Sequence, residues 1–127
     1  MRDKIANLLS SIFAFLFGNF DFILKALLTL MLIDYITGVS RAFVSKKVNS
    51  SIGAKGIIKK VMYLCVVTVT VLLDGLLELN GSLRTLIIYT FIFNEIISIL
   101  ENSSSLGIKI PNYLKNALEK LNQEQLK

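Results

Sequence analysis

The chain has 127 residues, a single domain's worth, with hydrophobic types at 54% and charged types at 18%; soluble domains run nearer 45–50% apolar and 25% charged, so the balance is tilted toward lipid. A formal net charge of +5 raises nucleic acid as a partner, but no basic run interleaved with aromatics and no nucleic-acid motif accompanies it, so no nucleic-acid partner is expected. The chain lacks histidine and has one cysteine, Cys65. That excludes an intramolecular disulfide, Ser-His-Asp and Cys-His nucleophile systems and His-containing zinc sites, so neither an enzyme nor a bound cofactor or metal is expected.

The first apolar segment, residues 5–17 (IANLLSSIFAFLF), places Ile5, Leu8, Leu9, Ile12 and Leu16 at helical spacing with Asn7, Ser10 and Ser11 on another side. It is shorter than the roughly 17–25 residues of a spanning helix, which predicts an interfacial amphipathic helix or a short membrane helix. A cleaved signal peptide is the rival reading of a basic start followed by an apolar stretch, but no A-x-A-like site follows.

Three longer segments, residues 22–43, 57–79 and 83–100, are each apolar over a length that crosses a bilayer core of about 30 Å. The β-branched run from Val66 to Val71 resembles a buried strand, yet it lies in more than twenty residues without a turn signal, far beyond the usual strand of about 5–6. The tail, residues 111–125, sets Tyr113, Leu114, Ala117, Leu118 and Leu121 against Lys115, Glu119, Lys120 and Glu124, which predicts an amphipathic cytoplasmic helix. The expected fold is therefore all-α: three transmembrane helices, an N-terminal amphipathic helix and a C-terminal soluble helix, forming one membrane domain.

Between the first two spans lie Lys46, Lys47, Lys55, Lys59 and Lys60, with Arg41 just before them and no acid. Lysine-rich short loops stay on the cytoplasmic side, which orients the chain; setting topology and binding anionic lipid are both open roles for these lysines. Charge leaves the side of the N-terminus open, because it depends on whether residues 5–17 cross.

Ionisable groups inside spans need partners or a wet cavity, since each costs about 2.5–3.5 kcal/mol on insertion scales. Asp34 and Glu95 fall at similar depth in spans running the same way, and Lys59 or Lys60 can bend to that level. Asp34, Gly38 and Arg41 share a helical face, and Gly38 with Ala42 makes a small-x-x-x-small step that admits another helix. Asp34, Gly38, Arg41, Ala42, Asn94 and Glu95 are thus candidates for helix packing or pore lining. At the other end, Asp74 and Glu78 face Arg84 across a turn at Asn80 and Gly81, which predicts a charge pair there.

Several stretches together resemble the toxin-secretion and phage-lysis holins of Gram-positive systems. They are DYITGVSRAFVSKKVNSSIGAKGIIKK (34–60), with its buried Asp, Gly, Ser-Ser-x-Gly turn and Gly-x-x-x-Lys entry to the next span, NEIISILEN (94–102) and GIKIPNYL (107–114). The resemblance covers residues 34–121 and implies a small multi-pass protein of the bacterial cytoplasmic membrane that forms a homo-oligomer among membrane lipid. It further implies lesions through which an endolysin lyses the host cell in bacteriophage release, or through which a large toxin is secreted. An antiholin of the same topology and a small ion-coupled transporter are the alternatives, although no internal repeat of the transporter kind is seen.

Overall fold

A computed structural model describes residues 1–47 and 49–125. Among them are five α-helices in the order α1 (Arg2–Phe17), α2 (Phe22–Val44), α3 (Ser50–Leu77), α4 (Ser82–Ser105) and α5 (Asn112–Gln125), and no strand, so the β-branched run 66–71 lies within α3. The protein is all-helical, and α2, α3 and α4 are long and apolar enough to cross a membrane. Their 23, 28 and 24 residues correspond to about 35, 42 and 36 Å at 1.5 Å per residue.

The helix starts follow from side-chain caps. Asp21 accepts a hydrogen bond from the Leu24 amide at 3.2 Å and opens α2. Asn49 accepts one from the Ile52 amide at 2.9 Å and opens α3, satisfying donors that a helix N-terminus otherwise leaves unpaired. The Asn49 cap corrects the sequence reading in one respect. The stretch 50–53, expected as a turn, is the first turn of α3, which shortens the connector between α2 and α3.

At the far end of α3, Glu78 and Asn80 take left-handed backbone conformations with φ of 54° and 55°, followed by Gly81 at 82°. The chain thus reverses within a few residues, and the Asp74 carboxylate accepts from the amides of Leu83 and Arg84 at 2.9 and 2.8 Å to start α4.

The helix α4 is the centre of the bundle. It packs against α2, α3 and α5, while α1 lies against α3. Its buried residues are Arg84, Ile88, Thr90, Phe91, Ile92, Glu95 and Asn102; of these, Ile88, Phe91 and Ile92 form the apolar core with Leu24, Leu27 and Met31 of α2 and Val67 of α3. Tyr63 and Phe91 stack with ring centroids 4.0 Å apart. The outward faces stay apolar: Phe22, Phe43 and Leu76 are 81%, 75% and 79% exposed, which suits lipid rather than water. No residue of α1 is buried, although Phe13 and Phe17 rest on the core.

Candidate functional site

Packing α2, α3 and α4 side by side gathers the polar groups of three apolar helices into one cluster near the end that carries the connector. The Lys60 ammonium of α3 lies 2.7 Å from Oδ2 of Asp34 on α2 and 3.0 Å from Oε2 of Glu95 on α4. Glu95 is fully buried, and the side chains of Lys60 and Asp34 keep 13% and 12% of their exposure. One cation therefore ties three helices together in a low-dielectric setting, where a charge without a partner is expensive.

Asn102, one turn from the end of α4, extends the cluster outward. Its Nδ2 donates to Asp34 Oδ1 at 3.2 Å and to Thr37 Oγ1 at 3.0 Å, and its Oδ1 accepts from Arg41 Nη1 at 3.5 Å. A continuous polar chain runs Arg41, Asn102, Asp34, Lys60, Glu95 from the connector end into the bundle. It ends on Glu95 Oε1, which is buried and has no hydrogen-bond partner among the described residues.

The structure brings together Asp34, Arg41 and Glu95 from the residues singled out in the sequence, and selects Lys60 over Lys59, whose amine instead lies 5.6 Å from the centre of the Tyr63 ring. Gly38 sits under the Asn102 amide: a Cβ there would meet Asn102 Nδ2 at 3.6 Å. Ala42 lines a cleft between α2 and α3. Asn94 is partly buried, one residue before Glu95. The expected lysine loop is divided: Lys46 and Lys47 lie in the connector, whereas Lys55, Lys59 and Lys60 belong to the first turns of α3. Asn102 is a site residue outside the sequence candidates, although Ile88, Glu95 and Asn102 recur every seven residues along the buried stripe of α4, a spacing that marks it as inward-facing.

The opposite end corrects a second expectation. Arg84 does not pair with Asp74 or Glu78, because Asp74 is occupied by the α4 amides. The guanidinium turns instead to the α1–α2 junction, donating to Asp21 Oδ2 at 2.9 Å and Oδ1 at 3.2 Å, to the Phe17 carbonyl at 2.7 Å and to the Asn19 carbonyl at 2.9 Å. Arg84 is 8% exposed. Its hydrogen bonds to Asp21 hold that carboxyl below its ordinary value against a smaller opposing effect of burial, aided by the Leu24 amide and the guanidinium charge. Gly18, with φ of 77°, lets the chain pass: a Cβ there would come within 2.9 Å of Arg84 Nε.

Three long apolar helices, with their internal charges matched to one another, define a multi-pass helical membrane protein. More narrowly, the chain belongs to the bacteriophage holin family, which it matches over residues 11–123; this is not a family of enzymes. It is 47% identical over 119 residues to the "uncharacterized 14.9 kDa protein in nagH 3'region" of Clostridium perfringens, covering 92% of this chain and 89% of that one. A protein of Bacillus phage phi105 called "probable holin" is 36% identical over 105 residues, 83% of this chain and 77% of its own. An uncharacterized protein of Listeria monocytogenes is 36% identical over 108 residues, with 85% and 77% covered. No solved structure matches the chain.

Proposed function

We propose that this chain is a holin that self-associates in the cytoplasmic membrane and opens lesions through which an endolysin, or a large toxin, leaves the cell. The observation that supports this reading is the polar chain that runs from Arg41 into the bundle and ends at the buried Glu95. In a single copy these groups satisfy one another almost completely. In an assembly, the same side chains supply the wettable face that a water-filled lesion requires.

Association in lipid gains no hydrophobic term, so close packing and polar contacts have to drive it. The step at Gly38 and Ala42, where Gly38 admits the Asn102 side chain of α4 in a single copy, is a small-residue surface on which backbones can approach when helices re-pair between copies. The connector carrying Lys46 and Lys47 then faces the cytoplasm, as does α5.

Induced expression in a Gram-positive host, followed with a membrane-potential dye, tests the reading. A holin gives an abrupt loss of potential after a delay, and Asp34→Leu or Gly38→Leu shifts that delay. Slow growth inhibition without collapse points to a transporter, and delayed lysis by a co-expressed holin points to an antiholin. If both substitutions leave the delay unaltered, the proposed face is wrong.

A further inference from the structure

Beside the ion cluster, α2, α3 and the end of α4 enclose a cleft of about 350 Å³, within the roughly 300–1,000 Å³ of small-molecule sites. Among its charged lining residues are Arg41, Lys47 and Lys60 against Asp34 alone. Asp34 is already neutralised: Lys60 holds Oδ2 and Asn102 holds Oδ1. Even with Glu95 counted behind Lys60, the lining stays net positive, and Lys46, Lys55 and Lys59 add charge nearby.

The floor is small, with Gly53 and Gly56 facing Tyr35. The cleft continues into a second one of about 450 Å³, which shares Tyr35, Val39, Ala42, Ile52 and Gly53 with it and adds Ala54 and Ile57, with Asn49 and Ser50 at the start of α3. A cationic mouth thus leads into an apolar groove, at the ends of two membrane helices where headgroups meet acyl chains.

We propose that this double cleft is a binding site for one anionic glycerophospholipid, its phosphate held by Arg41 and Lys47 and an acyl chain laid along Val39, Ile52 and Ile57. The occupant is amphipathic because the site is: a free phosphate would leave the groove empty, and a hydrocarbon would leave two cations unanswered. A guanidinium suits phosphate oxygens through its planar fork of donors, and Arg41 spends one of its donors on Asn102, at the long distance of 3.5 Å. The inference rests on the membrane placement above and not on lysis, so it stands or falls separately from the proposed holin activity.

Full-length protein reconstituted in phosphatidylcholine nanodiscs, titrated with phosphatidylglycerol and read by native mass spectrometry, tests it. Wild type retains one phosphatidylglycerol in preference to phosphatidylcholine. Arg41→Gln with Lys47→Gln lowers retention by roughly twenty-five-fold, taking about fivefold for each cation near the surface, whereas Lys46→Gln with Lys55→Gln lowers it by less than about fivefold. Gly53→Leu changes no charge but fills the cleft, and it too abolishes retention while circular dichroism stays helical.

Equal losses in the two charge-removed pairs, with Gly53→Leu unaffected, would reduce the effect to diffuse surface attraction and overturn the site. Displacement by glycerol phosphate alone would assign it to a free phosphate. Cross-linking of Gly53→Cys between copies, with no lipid retained, would place a second chain in the cleft.

Discussion

At one end of the bundle a guanidinium meets the α1–α2 junction, and at the other an ammonium meets two carboxylates. Arg84 spreads its donors over Asp21 and the carbonyls of Phe17 and Asn19. Each acceptor it touches is answered by geometry that a planar fork provides. Lys60 is a point charge shared between Asp34 and Glu95, and it leaves Glu95 Oε1 without a partner among the described residues. The first end is closed around a turn, with a glycine making room. The second opens onto a cleft and contains more negative than positive charge in its inner part. The comparison teaches that one fold separates two tasks: the Arg84 end fixes the path of the chain, and the Lys60 end ties three helices to one another.

The largest way to break this contrast is to remove the shared cation. Lys60→Met leaves two carboxylates facing each other in the apolar bundle and should destabilise the protein by about 3–5 kcal/mol, seen as a fall in unfolding temperature in detergent. Adding Asp34→Asn and Glu95→Gln to the same chain should recover most of the loss. If the single substitution is neutral, the cluster does not hold the three helices together.

At the other end, Arg84→Lys keeps the charge but cannot reproduce the fork. A loss of about 2–3 kcal/mol is expected from charge-assisted hydrogen bonds left unmade. The same change should free α1, raising the labelling rate of an Asp3→Cys probe in a Cys65→Ser background; an unchanged rate would show that contacts with α3 alone fix α1. Asp74→Ala removes the cap of α4 and should cost about 1–2 kcal/mol, without altering labelling at residue 3.

The smallest effect concerns acid. Because the folded-state pKa of Asp21 is depressed, its contribution is fully present above the ordinary carboxyl value near 3.8 and disappears as pH falls through the lower, folded value. Labelling of the residue 3 probe should therefore stay flat from neutral pH to about 4 and rise only below that. In Asp21→Asn this acid-dependent rise should be missing; a rise that persists in the variant would locate the acid sensitivity elsewhere.

Much of the fold is written in the order of residues. Long apolar runs have to become helices in lipid, because only intrahelical hydrogen bonds satisfy a backbone that water cannot reach; hence residues 22–43, 57–79 and 83–100 already marked α2, α3 and α4. Asp34 and Glu95 were visible for the same reason, since a carboxylate amid leucines needs a partner. The capping choice at Asn49 was harder to read: Ser, Ser and two glycines suggest a turn, and the Asn49 hydrogen bond to Ile52 makes them helix. Tertiary structure alone decided which partners met. Lys60 rather than Lys59 faces Asp34 because rotation by one residue turns a side chain about 100° around the helix axis. Asn102 entered the site because α4 packs with its seven-residue stripe against Gly38. Arg84 found Asp21, sixty-three residues away in sequence, because Asp74 was already held by backbone amides. Periodicity fixes what lies on a face, whereas the rotation and pairing of helices fix what that face touches.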